Sequence, residues 1–219
     1  MILENYLKKL SLQEKTKNPT LNAMQWLMES LGNPQEQVEC IHVAGTNGKG
    51  SVCEMLSNIL IKAGYTVGKY MSPHLLCVNE RICINNIPIS DKESEELLEL
   101  LDKKVQQYNQ THKNMVTYFE VVTALAFLYF AQKKCDIMII ETGLGGLLDS
   151  TNIVSSSLSM ITSIGYDHMA ILGNTIEEIT EQKAGIIKPD GHTIFVKHEE
   201  PMVNKIIQNR CQERNSRNT

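Results

Sequence analysis

Seven residues, Gly45-Thr46-Asn47-Gly48-Lys49-Gly50-Ser51, constrain this chain more than any other stretch. A strand-like run, Val38 to Val43, leads into them, and a helical pattern from Lys49 to Ala63 follows until Gly64 ends it. Strand, glycine-rich turn and helix in that order bring backbone N–H groups and a helix N-terminus to one point, where Lys49 adds a mobile positive charge. Such a loop cradles a polyphosphate. The common P-loop has glycine where this chain has Val43, and a hydroxyl directly after the lysine; here Gly50 follows, and the hydroxyl comes at Ser51. The plainer alternative is a glycine-rich turn with a solvated lysine. The flanking strand and helix favour a nucleotide. An NKxD signature for guanine selection and a kinase catalytic loop are both missing.

The rest of the chain alternates between the two apolar periods. Ile2 to Leu10 and Leu21 to Leu31 read as helices, the second stopped by Gly32 and Pro34. Tyr65 to Tyr70 reads as a strand, and Arg81 to Ile89 as a hairpin turning at Asn85 and Asn86. Ser90 with Glu93 forms a capping box opening a polar helix to about Gln107, and Thr117 with Glu120 forms another, opening an apolar helix to Gln132. Strands are predicted at Ile137 to Ile140, Ser157 to Ile164 and His192 to Val196, with a helix from Thr175 to Ala184. The alternation predicts an α/β fold whose parallel sheet is covered on both faces. From Gln208 to Thr219 the sequence is polar without apolar periodicity, so a frayed tail is expected beyond a domain spanning residues 1 to 207.

Composition excludes several classes. The formal charge is -4, with 21% charged and 42% apolar residues, so no basic surface invites nucleic acid. Six cysteines form no CxxC pair, and Cys53 and Cys135 lie in apolar runs, which fits a reducing, cytoplasmic setting. The first residues lack the order of a signal peptide, and the longest apolar run, Val121 to Ala131, is too short to span a bilayer. No membrane association is expected.

The string His42-Val43-Ala44-Gly45-Thr46-Asn47-Gly48-Lys49-Gly50-Ser51 resembles the nucleotide loop of folylpolyglutamate synthases and dihydrofolate synthases of the Mur ligase superfamily. Further motifs similar to that family's stand in its order: Ser72-Pro73-His74-Leu75, Glu80-Arg81-Ile82, Thr117-Tyr118-Phe119-Glu120, Glu141-Thr142-Gly143-Leu144-Gly145-Gly146, Asp149-Ser150-Thr151-Asn152, Ile164-Gly165-Tyr166-Asp167-His168, Leu172-Gly173-Asn174-Thr175 and Lys183-Ala184-Gly185-Ile186-Ile187-Lys188. The likeness runs from about residue 38 to 190.

This resemblance implies the Mur ligase central domain, a three-layer, P-loop-type, mostly parallel sheet. The implied reaction is ATP-dependent: a folate or dihydropteroate carboxylate is phosphorylated, and the amine of L-glutamate displaces the phosphate. It further implies ATP on Gly45 to Ser51, catalytic roles for Lys49, Glu141, His168 and Lys183, and Mg²⁺ on Ser72, Glu141, His168 and a carbamylated Lys183. Pro73, His74, Arg81 and Glu120 are implied as folate contacts, and a monomer is expected.

Plainer readings stand beside these. Glu141 could be a strand-end carboxylate facing water, Ser72 a turn serine, and His168 a loop histidine, all the more since hard cations favour oxygen. Lys183 could be a helix-surface lysine paired with Glu178 or Glu181, and the capping box alone explains Glu120. The sequence also departs from the family. Leu147 stands where arginine is common and Gln182 where glutamate is, each removing a charge near the implied site. Family members are about twice as long, with a second C-terminal domain that helps bind glutamate, so a truncated chain is expected here. The second reading is a remnant that only binds nucleotide.

Overall fold

A strand that is apolar on both sides must be covered on both, and the central strands of this chain are of that kind. The computed structural model describes residues 2–13 and 20–219. Helices α1 (Ile2–Gln13) and α2 (Asn22–Ser30) precede strand β1 (Glu39–Ala44), helix α3 (Lys49–Lys62) and strand β2 (Val67–Tyr70). The short hairpin of β3 (Ile82–Ile84) and β4 (Ile87–Pro88) turns where expected, with Asn85 and Asn86 at φ of 50° and 64°. Asparagine tolerates that left-handed turn better than most residues.

Then come α4 (Asp91–Thr111), α5 (Tyr118–Gln132), β5 (Ile137–Glu141), β6 (Leu158–Ile161), α6 (Met169–Leu172), α7 (Ile176–Ala184), β7 (His192–Phe195), α8 (Pro201–Glu213) and β8 (Arg217–Asn218). The predicted capping boxes open α4 and α5, and a third, Thr175 with Glu178, opens α7.

Among the described residues eight strands form one sheet in the order β4-β3-β2-β5-β1-β6-β7-β8. β3 is antiparallel to both its neighbours; every other pair is parallel. Successive side chains point to opposite faces. In β5, Met138 and Ile140 join the core under α1, α2, α4 and α5, while Ile139 joins Ile41 and Val43 of β1 under α3. Helix α5 is buried from Glu120 to Phe130 because it lies between the sheet and the outer helices, which is why it reads as apolar on all sides. A third core packs α7 and α8 beside β6. The α/β, three-layer expectation is therefore met.

The expectation of a frayed tail is not. Residues 208–219 finish α8 and form β8, and Cys211 follows Val203 and Ile207 at four-residue spacing, each 0% exposed. Strand β8 pairs with β7 through backbone groups, Arg217 opposite His192 and Asn218 opposite Thr193, and the Thr193 and Ser216 hydroxyls bond at 2.8 Å. A two-residue edge strand held by backbone hydrogen bonds needs no apolar side chains. Its sequence is silent for that reason.

Candidate functional site

Strand β1 lies between β5 and β6, so the loop that leaves its C-terminal end emerges between the ends of both neighbours, where ligands of open α/β sheets gather. The end of β6 clamps this loop. The Thr162 hydroxyl donates to the Asn47 carbonyl (2.8 Å) and reaches that of Ala44 (3.3 Å). The Asn47 N–H donates to Ser163 Oγ at 3.0 Å, and that hydroxyl lies 3.1 Å from the Asn47 carbonyl. Thr46 adds a backbone bond to the Ser163 carbonyl (2.7 Å), and its hydroxyl donates to the Gly165 carbonyl and accepts from the Gly165 N–H. Nothing in the Thr162-Ser163 dipeptide announces this role; only the three-dimensional neighbourhood of β1 does.

Two lysines converge on one carbonyl of the loop. Lys49 Nζ donates to Gly45 O at 3.0 Å and lies 3.4 Å from Thr46 O; Lys183 Nζ donates to Gly45 O at 2.9 Å. Lys183 is buried, so the helix-surface reading with Glu178 or Glu181 is corrected. Glu178 accepts from the backbone at Asn174 and Thr175, and Glu181 pairs with Arg210. Burial, and then the neighbouring Lys49 charge, lower the Lys183 pKa to about 8.

Glu141, at the end of β5, is 4% exposed and its Oε2 accepts from the Ser72 N–H at 3.1 Å. Burial raises its pKa, opposed by that N–H and by Lys49. The reading as a carboxylate facing water is therefore corrected. A buried anion with so little compensation fits a hard cation beside it, and the oxygen donors of Glu141 and Ser72 suit one. His168 lines one cavity with Ser72, its ring exposed and Nε2 3.4 Å from Asp167 Oδ1, and its backbone is left-handed, φ 47°. Thus Glu141 touches Ser72, Ser72 and His168 line one cavity, and Lys183 holds the phosphate loop at Gly45.

That cavity is about 600 Å³ and runs from Lys49 and Ser72 to a largely apolar wall of Phe119, Leu144, Leu148, Ile171 and Leu172. Pro73 and Arg81 line it as well. His74 accepts at Nδ1 from Arg81 Nε at 2.8 Å, orienting the guanidinium, which also lies 5.4 Å from the centre of the Tyr118 ring. Glu120, implied as a folate contact, is buried in its cap, where it accepts from the Thr117 N–H (2.7 Å) and hydroxyl (2.9 Å), and it is not among the residues lining this cavity. Gln182 lines the wall, and its backbone carbonyl accepts from the Leu147 N–H at 2.7 Å, so the two departures from the family lie side by side.

Asp149 was visible only as part of a motif, yet it organises this wall. Its carboxylate accepts from the backbone N–H groups of Leu144 (2.7 Å) and Thr151 (3.0 Å), holding the glycine-rich turn between them. Asn152 ties the same segment down through its amide, which donates to the carbonyls of Leu147 and Gly185.

Residues 43–218 match the model of the Mur ligase middle domain. The dihydrofolate synthase/folylpolyglutamate synthase of Bacillus subtilis (strain 168) is 49% identical over 195 residues, covering 89% of this chain and 45% of that protein. The crystal structure of the Thermotoga maritima folylpolyglutamate synthase superposes with a TM-score of 0.91 at 37% identity, over 100% of this chain and 49% of that one. A solved FPGS complex with AMPPCP and folate superposes with a TM-score of 0.91 at 34% identity, over 99% of this chain and 52% of that one. The chain spans about half the length of these relatives.

Proposed function

The chain belongs to the Mur ligase family, as its middle domain, and from that premise we propose that it carries the ATP and Mg²⁺ site and the folate-side wall of a ligase joining L-glutamate to a folate or dihydropteroate. One observation carries the reading: the lysine of a phosphate loop and an aromatic-lined apolar cavity form a single site. A nucleotide alone needs only the loop. The relatives named as folate ligases, and the complex named for AMPPCP and folate, support the same substrates here.

The chemistry follows from charge. The γ-phosphate and the acceptor carboxylate are both anionic and must be held in line for the carboxylate oxygen to attack phosphorus and expel ADP. The N–H groups opening α3 hold the phosphates, and Lys49 exchanges its bonds to Gly45 and Thr46 carbonyls for phosphate oxygens. Glu141 and Ser72 would hold Mg²⁺, which supplies charge neutralisation at the phosphates. Arg81, steadied by His74, offers a second cation in the cavity, and Phe119 and its apolar neighbours receive a flat heteroaromatic ring. The glutamate amine then attacks the acyl carbon, phosphate leaves, and one proton is released. Lys183, held under the loop, keeps the Gly45 carbonyl turned inward.

Phosphate release dependent on ATP, L-glutamate and either dihydropteroate or tetrahydrofolate is the expected activity, with Mg-ATP binding in calorimetry as its minimum. Binding without turnover would favour the nucleotide-binding remnant, to which Leu147 and Gln182 also point. A chain that bound no Mg-ATP would refute both. The clamp gives a finer test: Ser163→Ala removes both contacts to Asn47, and should weaken Mg-ATP binding about tenfold, the worth of roughly one hydrogen bond, with little change in melting temperature.

A further inference from the structure

His42 lies in the middle of β1 with 0% exposure, and nothing in the proposed reaction uses it. Its Nε2 lies 2.9 Å from Thr151 Oγ1, and Thr151 Oγ1 donates to Asp149 Oδ1 at 2.5 Å. Asp149 is one of the residues lining the cavity, and its carboxylate holds the backbone of Leu144 and Thr151. A chain of hydrogen bonds therefore crosses from the strand that delivers the phosphate loop to the turn that forms the folate-side wall.

The protons along this chain have one economical order. A hydroxyl has a single proton, and Thr151 gives its own to a carboxylate that can only accept. Thr151 must then accept from His42, so the imidazole carries its proton on Nε2. The opposite nitrogen, Nδ1, is buried with no partner among the described residues. Reversing the order would put an N–H there, leaving a buried donor unpaired, which folded proteins tolerate less than a bare acceptor. Burial, then Lys188, push the His42 pKa down to about 3, so the ring is neutral near neutral pH and can play this part there.

We infer that His42 and Thr151 are positioning residues: as a buried donor relay they fix the Asp149 carboxylate, and through it the Gly143 to Asp149 turn against which the folate-type substrate packs. The inference rests on the proposed function for its substrate, though the relay itself can be read without it.

Thr151→Val keeps the shape and removes the hydroxyl, whereas Thr151→Ser keeps the hydroxyl. In Thr151→Val, amide hydrogen exchange across residues 143–151 should rise about tenfold while β5 and α5 stay protected. Dihydropteroate binding should weaken with Mg-ATP binding retained, and Thr151→Ser should restore both the protection and the binding. Independently of any variant, ¹⁵N shifts of the wild-type His42 ring should place the proton on Nε2. A proton on Nδ1, no rise in exchange, a rise spread equally over the fold, or no recovery with serine would each overturn the relay. If the wild-type chain bound no dihydropteroate while exchange behaved as described, the functional reading would fail and the relay would stand. Dihydropteroate binding unchanged by Thr151→Val would sink the relay alone.

Discussion

Gly45→Ala should cost about 3–5 kcal/mol of stability and abolish nucleotide binding, whereas Gly48→Ala, three residues away, should cost about 1–2 kcal/mol. Both glycines have positive φ, 151° and 85°, so both substitutions strain the backbone. What separates them is space. A Cβ on Gly45 would stand 1.8 Å from Thr162 Oγ1, 3.0 Å from its Cβ and 3.2 Å from its backbone nitrogen; one on Gly48 would meet nothing within 4 Å.

Thr162 cannot retreat cheaply. Its hydroxyl is bonded to the Ala44 and Asn47 carbonyls, and β-branched side chains have few rotamers to offer. The loop would have to move instead, breaking the bonds that Lys49 and Lys183 make to Gly45 O. For a domain of this size the expected fall in melting temperature is about 10 °C for Gly45→Ala and about 3 °C for Gly48→Ala. Thr162→Ala should recover part of the loss in the double variant, because it removes the nearest clash, at Oγ1, and leaves the two longer contacts at Cβ and the backbone nitrogen. Equal effects at the two glycines would show that strain alone, and not the seat under Thr162, makes Gly45 necessary.

That seat also marks how far sequence reasoning reaches. The loop, the capping boxes at Ser90 and Thr117 and the turn at Asn85-Asn86 are local devices, and each is written in residues a few positions apart. The clamp from Thr162 and Ser163 is not, because residues more than a hundred positions away meet the loop only once β1 and β6 pair. Lys183 illustrates the same limit from the other side. Its helix carries acidic neighbours at salt-bridge spacing, which predicts a surface pair; docking of α7 beside β6 instead turns the lysine inward, and those acids find other partners. In α8, Val203, Ile207 and Cys211 make one buried stripe, but a cysteine amid QNRCQERNSRNT reads as polar surroundings and hides the last turn. Glu120 is the reverse case. The local cap, read from residues three positions apart, accounts for where its buried carboxylate sits.

The buried carboxylate proposed to hold the cation gives the second large effect. Glu141→Gln should make the ligand-free chain more stable at neutral pH and lower its affinity for Mg-ATP by more than about 100-fold, since a ligand is lost and not merely reoriented. The two signs have one cause. Burial raises the Glu141 pKa above its ordinary 4.5, so the folded state holds this proton more tightly than the unfolded chain. The stability this contributes is fully present below the unfolded value and is lost as pH rises through the folded one. Wild type therefore carries a buried anion only partly compensated by the Ser72 N–H and Lys49 at neutral pH, and glutamine, which is isosteric and uncharged, does not. The stability gap between variant and wild type should open as pH climbs above 4.5 and close again below it. Mg-ATP reverses the ranking, because a cation beside the carboxylate repays its desolvation and glutamine cannot collect that repayment. Thermal melts of both proteins across pH, with and without Mg-ATP, would check this. A variant that is stabilised by Mg-ATP as strongly as the wild type would remove Glu141 from the metal site, leaving its burial at the strand end without a functional reason.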